Sequence, residues 1–229
     1  MKKIFIIHGW TYTTDKWKEV VSLISAAGFE PVQLAVPGLT EASNKIWTLD
    51  DYIGWLYRQL ENETDPIVVG HSNGGRIAIA FAARYPKKLG KLILVDSAGI
   101  YHNELPLRLK RFLFGTAAKF GKKITSSETA RKILYKAAGE GDYKNADPLM
   151  KKTMANLISV DLTANLSRIE CPTLIIWGKK DRATPLADGQ IMNSAIKNSE
   201  IMVVDGAAHS PHFTHAKQVT ERILQFIKS

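Results

Sequence analysis

The residues best suited to do chemistry begin at Gly70-His71-Ser72-Asn73-Gly74-Gly75, directly after the apolar run Ile67 to Val69 and before the helix-compatible Arg76 to Tyr85. A G-x-S-x-G turn between a strand and a helix strains the backbone at its serine. Glycines two positions to either side relieve the crowding while the hydroxyl projects outward. The helix that follows places positive dipole and free N–H groups beside a developing anion. A serine hydroxyl is a poor nucleophile until a base takes its proton, so the pattern asks for a histidine and for a carboxylate to orient it. His209, in Asp205-Gly206-Ala207-Ala208-His209, and Asp181, in Trp177-Gly178-Lys179-Lys180-Asp181, each follow an apolar run. Ser72, Asp181 and His209 are therefore the candidate catalytic residues.

Other residues compete for these roles. Asp96 also ends an apolar run and is a rival acid, although its place suits a hydrogen bond to loop backbone better. His212 and His215 fall at or after the start of the last helix, where solvated surface histidines are expected. His8 and His71 read as structural neighbours of the site, and Cys171, just before Pro172, reads as a small buried hydrophobe. His212 and His215 form H-x-x-H without the glutamate of a zinc-binding H-E-x-x-H, so no metal site is expected. The chain has neither a P-loop nor G-x-G-x-x-G, and no nucleotide cofactor is indicated.

Six strand-sized apolar runs must position these groups: Ile4 to Ile7, Val32 to Val36, Ile67 to Val69, Leu92 to Val95, Thr173 to Trp177 and Ile201 to Val204. Between most of them lie helical periodicities, carried by Trp17, Val20, Val21, Ile24 and Ala27, then by Leu49, Ile53, Leu56 and Leu60, and finally by Phe213, Ala216, Ile223 and Phe226. Thr48 is the expected N-cap of the second helix, with Asp50 and Asp51 in its first turn. Strands alternating with helices predict an α/β fold with a mostly parallel, doubly wound sheet, and ligands then bind at the carboxyl ends of the strands. Residues 101–165 break this rhythm. Their helix-compatible segments, Leu105 to Phe114 and Glu128 to Ala138, predict a helical cap inserted between the fourth and fifth strands, leaving 1–100 and 166–229 as the core.

The 229 residues are 45% hydrophobic and 23% charged, which excludes disordered, collagen-like and coiled-coil classes. One sizeable core is expected, since a chain of this length buries roughly 72% of its unfolded surface. A lone cysteine leaves no disulfide within the chain and predicts a cytoplasmic protein. The apolar run after Met1-Lys2-Lys3 stops at His8-Gly9, too short for a signal peptide. No stretch of 18 apolar residues predicts a transmembrane helix. The net charge is +9, and the predicted cap holds 12 Lys and Arg against 6 Asp and Glu, so +6 of it lies there. That excess is either a solvated helical face or an attractor for anionic substrates. No nucleic-acid recognition motif accompanies it, so no nucleic-acid partner is expected.

The strand-turn-helix setting of Ser72 and the chain order Ser72, Asp181, His209 resemble the α/β-hydrolase superfamily of lipases and esterases. The resemblance covers nearly the whole chain except the insertion, which falls where that family carries its variable cap. His8-Gly9 resembles the family's oxyanion-loop motif, which implies that the backbone N–H groups of Trp10 and Asn73 form an oxyanion hole. Thr11 departs from the pattern, standing where many relatives have a second glycine. Trp17 and Pro37-Gly38 are similar to further family landmarks. The implied activity is a serine hydrolase that cleaves small carboxylic esters without a cofactor. Hydrolases of ring-fission dienoates, thioesterases, lactonases and perhydrolases share the same triad, and some relatives are ligand-binding receptors rather than enzymes. Relatives of this fold that use aspartate at the nucleophile, the haloalkane dehalogenases and epoxide hydrolases, differ at position 72. In the cap, Phe112 and Leu113, with Leu105, Leu107, Leu109 and Phe114, either line an acyl pocket or pack the cap onto the core.

Overall fold

The apolar runs are rich in the β-branched residues that fit a pleated, buried surface, and in the computed structural model, which describes residues 1–101 and 148–229, five of the six become strands and the second does so in part. In chain order these are β1 (Lys3–Ile7), β2 (Glu30–Gln33), β3 (Ile67–His71), β4 (Lys91–Val95), β5 (Thr173–Gly178) and β6 (Ser199–Val204). They form one sheet in the order β2-β1-β3-β4-β5-β6, and every pair is parallel. The helices are α1 (Lys18–Ala26), α2 (Leu49–Leu60), α3 (Asn73–Arg84), α4 (Pro148–Ile158), α5 (Leu186–Ala195), α6 (Pro211–Thr214) and α7 (Ala216–Lys228).

Side-chain alternation along the strands splits the core in two. Ile4, Ile6, Ile67, Val69, Ile93 and Val95 face α1 and α7, where they meet Val20, Ile24, Val219 and Ile223. Phe5, Ile7, Val68, Leu92 and Leu94 face the other way, toward Ile53 and Leu56 of α2, Ile77 and Phe81 of α3, and Met192 of α5. Both faces of the sheet are covered, as a parallel sheet requires. Thr48 caps α2 as expected: its hydroxyl accepts from the Asp51 N–H at 3.2 Å while the Asp51 carboxylate accepts from the Thr48 N–H at 2.9 Å.

Three sequence-based expectations change. The second strand lies earlier than the run Val32 to Val36, because the Val36 carbonyl leaves the sheet to accept from Leu39, Thr40 and Glu41 in a turn. The last helix does not start with a buried Phe213. His215, at φ −134° and ψ 42°, separates the short α6 from α7, so the buried stripe begins at Ala216 and Phe213 is 55% exposed. His212 is not a surface residue either: it is 1% exposed and stacks on Trp17 with ring centroids 4.2 Å apart. Of the predicted cap, Phe112, Leu113, the other apolar cap residues and both helix-compatible segments lie outside the described residues. Its described end, α4, packs Met150 and Leu157 into the α2/α3 side of the core. Among the described residues no helix is long and apolar enough to cross a membrane.

Candidate active site

The turn that carries Ser72 is built by close approach. Ser72 joins β3 to α3 with φ 52° and ψ −117°, a region that L-residues occupy only when the surroundings over-determine it. Those surroundings are glycines. A Cβ on Gly70 would lie 2.7 Å from the Gly75 Cα, a Cβ on Gly74 would collide with the Ile7 carbonyl oxygen, and one on Gly75 would collide with the Ser97 hydroxyl. The turn is pinned further by the Ser72 N–H donating to the Val95 carbonyl at 3.1 Å, and by the Ser72 carbonyl accepting from Ala98 and Arg76 at 2.9 and 3.2 Å.

Loops after β5 and β6 bring the other two predicted residues to this turn. The His209 ring lies with Nε2 2.9 Å from the Ser72 Oγ and Nδ1 2.7 Å from the Asp181 Oδ2. A carboxylate can only accept, so Nδ1 carries the proton and Nε2 offers its lone pair to the serine hydroxyl. The Asp181 side chain is fully buried, while the His209 side chain is 31% exposed. Asp181 keeps its orientation through the Ala183 and Thr184 N–H groups, which donate to Oδ1 at 2.7 and 3.1 Å, and through the Thr184 hydroxyl, which donates to Oδ2 at 2.7 Å. Thr184 is a residue that sequence reasoning missed. Its spacing three residues after an aspartate in a turn is the signal that could have found it.

The rival acid Asp96 directs its Oδ1 to the Gly178 N–H, from which it accepts at 2.7 Å. It is completely buried, and burial together with the neighbouring Asp181 charge pushes its carboxyl up to about 8. His8 and His71 are both buried and both held below the ordinary histidine range by desolvation. His8 donates from Nδ1 to the Gly9 carbonyl at 2.8 Å, and its Nε2 accepts from the Thr40 hydroxyl at 2.7 Å. His71 donates from Nε2 to the His209 carbonyl at 2.9 Å, so the residue before the serine also holds the backbone of His209. Its ring packs on His212 at 4.3 Å and edge-on to Trp17 at 6.4 Å. No sequence pattern marks that three-ring cluster.

Trp10 follows β1 and packs, partly buried, against the core, and Asn73 opens α3, so its N–H belongs to the first turn whose donors have no partner within the helix. Between them Gly9 approaches closely: a Cβ there would lie 2.9 Å from the His71 Nδ1 and 3.1 Å from the Ser72 Cβ. Among the described residues one trio of ligand-type groups, His71, Asp96 and His209, has an atom from each within 4.8 Å of the others. Both His209 nitrogens already serve Ser72 and Asp181, and the His71 Nε2 serves the His209 carbonyl. The arrangement can take a proton from a serine, hold the resulting imidazolium beside a carboxylate, and place helix N–H groups near the oxygen that becomes negative.

A family profile described as the alpha/beta hydrolase fold matches residues 3–216. The chain belongs to this family. Among known proteins, this α/β hydrolase is 23% identical to the monoacylglycerol lipase ABHD6 of Homo sapiens, over 99% of this chain and 75% of that protein. It is 21% identical to the pimeloyl-(acyl-carrier protein) methyl ester esterase of Neisseria meningitidis, over 100% of this chain and 94% of that protein. The crystal structure of the enol-lactonase from Burkholderia xenovorans LB400 superposes with a TM-score of 0.76 at 20% identity, covering 100% of this chain and 92% of that one. Family and relatives together support a hydrolase of this fold.

Proposed function

We propose that the protein is a serine hydrolase that cleaves a carboxylic ester of a small molecule through an acyl-enzyme intermediate. The observation that carries this reading is the unbroken chain from the Ser72 hydroxyl through His209 to the buried Asp181. In this scheme His209 takes the Ser72 proton as the oxygen attacks the ester carbonyl. Asp181 fixes the ring and stabilises the imidazolium. The backbone N–H groups of Trp10 and Asn73 receive the oxyanion, aided by the positive end of α3. His209 then protonates the leaving alcohol, and a water activated by the same ring releases the acid. Two of the relatives are named for cleaving esters, and an ester is the first reading; a 25% identical 2-hydroxy-6-oxononadienedioate hydrolase of Burkholderia vietnamiensis makes carbon–carbon bond hydrolysis the second. Phe112 and Leu113 remain proposed acyl contacts. A cytoplasmic location is proposed on the single cysteine, Cys171, which is buried and free.

The test is turnover of p-nitrophenyl esters graded in acyl length. Ser72→Ala and His209→Ala should each lower kcat by about 10⁴-fold or more while the folded state survives. Wild-type turnover in either variant would contradict the mechanism. Absence of turnover in the wild type across the whole series would favour a ligand-binding role for the site.

A further inference from the structure

A buried cation beside Ser72 has no role in the scheme above. Arg76 lies one turn into α3, is 5% exposed, and its Nε has no hydrogen-bond partner among the described residues. Burial pushes its guanidinium down to about 10, partly offset by the charge of Asp161. A hydrophobic side chain would cost less in such a place, which points to the bond Arg76 does make. Its Nη1–H donates to the Val160 carbonyl at 2.7 Å. Val160, Asp161 and Leu162 stand where the long connection between β4 and β5 returns after α4, and Ala98, Gly99 and Tyr101 stand where it leaves. The two ends are bonded to each other: the Leu162 N–H donates to the Gly99 carbonyl at 2.9 Å, and the Tyr101 N–H donates to the Asp161 Oδ1 at 3.2 Å. The Thr163 N–H and hydroxyl donate to the same oxygen at 3.1 and 2.7 Å and fix that carboxylate. Both ends also reach the Ser72 turn. The Ser72 carbonyl accepts from Ala98, on the departing end, and from the N–H of Arg76, whose side chain holds the returning end.

We propose that Arg76, supported by Asp161, is a positioning residue that aims the Asn73 N–H by closing a circuit of hydrogen bonds. The circuit runs from the Ser72 carbonyl through both ends of the β4–β5 connection and back to α3. The inference rests on the serine-hydrolase reading of the site, in which the Asn73 N–H receives the oxyanion. The Ser72 carbonyl and the Asn73 N–H share one trans peptide plane and point opposite ways, so whatever fixes the carbonyl fixes the direction of the donor. Ser72, at φ 52°, holds its conformation only where the surroundings over-determine it. Glycine contacts set where the turn can go, and the two bonds on its carbonyl set how that plane is rotated. Without the Arg76 side chain the returning end is held only through the departing one, and the plane is less firmly aimed. An oxyanion donor acts on the transition state rather than on bound substrate, so the loss falls on kcat.

The experiment measures kcat and KM for p-nitrophenyl acetate, the rate of fluorophosphonate labelling and the melting temperature in wild type, Arg76→Met, Asp161→Ala and the double variant. Methionine fills much of the arginine's space without charge or donors, so Arg76→Met should keep its melting temperature. Its kcat and labelling rate should fall by about tenfold while KM changes by less than about twofold. Asp161 is exposed, and Asp161→Ala should fold and lose about threefold in both rates. The double variant should be no more than about twofold slower than Arg76→Met, because one circuit opens only once. Wild-type kcat in Arg76→Met, a fall in labelling that only tracks lost folded protein, or single effects that multiply in the double variant would overturn the circuit while leaving the serine mechanism standing. Should Arg76→Met fail to fold, Asp161→Ala decides alone, and wild-type kcat there would overturn the circuit. A wild type that neither turns over nor labels would remove the serine-hydrolase reading and the circuit's role with it.

Discussion

The turn that carries Ser72 and the loop that carries His209 deliver two atoms to within 2.9 Å of each other, yet different forces hold them. The turn is fixed by contact. Gly70, Gly74 and Gly75 let β3, α3, the Ile7–His8 backbone and Ser97 approach closer than any Cβ would allow. The His209 loop is fixed by hydrogen bonds spanning the sheet: the Lys180 N–H donates to the Ala207 carbonyl at 2.9 Å, and the His71 Nε2–H donates to the His209 carbonyl at 2.9 Å. Its one glycine with positive φ, Gly206 at 83°, has space beside it, since a Cβ would come no nearer than 3.6 Å to the His215 Nε2. A nucleophile that must hold a strained conformation needs rigid walls. A base that must accept and return a proton needs its ring angle fixed, and a partly exposed loop achieves that when bonded at both ends.

This contrast makes a ranked prediction. Gly74→Ala should destabilise the fold by about 3 kcal/mol or more, because backbone on both sides of the added methyl would have to move. Gly206→Ala should be milder, losing about 1–2 kcal/mol through left-handed strain alone. Thermal or urea unfolding of the two variants checks the order. Equal losses would show that the loop is packed as tightly as the turn.

The same contrast explains what could be read from the sequence. The turn is legible because its demands are local: glycines, a serine and a helix start fall within a few adjacent residues. Asp181 and His209 could be named because each follows a strand, and strand ends in a parallel sheet meet on one edge. The burial of His212 could not be, since it depends on stacking against Trp17 from the far end of the chain. The break at His215 was hidden for a related reason. Phe213 keeps the helical spacing of a core residue, while α6, begun by Pro211, presents it to solvent. Thr184 escaped notice because a threonine in a turn has many uses, and only the fold shows it bonded to Asp181.

A smaller effect tests how the two regions are joined. His71 and His212 are held below the ordinary histidine range, His212 at about 3, chiefly by burial, with His209 and Lys16 adding like charge. Below pH about 6.5 the unfolded chain binds protons at these positions and the folded protein does not, so stability falls as pH falls. For His212 the loss continues down to about pH 3. Each group contributes up to about 1.4 kcal/mol per pH unit in that window. The melting temperature should therefore drop between pH 7 and 5. His212→Phe, which keeps a ring against Trp17 and cannot titrate, should reduce that drop. An unchanged pH dependence in this variant would place the acid sensitivity elsewhere.

The central claim is that Ser72 is a nucleophile activated by His209. A fluorophosphonate probe followed by peptide mapping tests it most directly, since the reagent reports serine activation without knowledge of the substrate. The account predicts a single adduct on Ser72 in the wild type and none in His209→Ala. A folded wild type that stays unlabelled, or an adduct on any other residue, would contradict it.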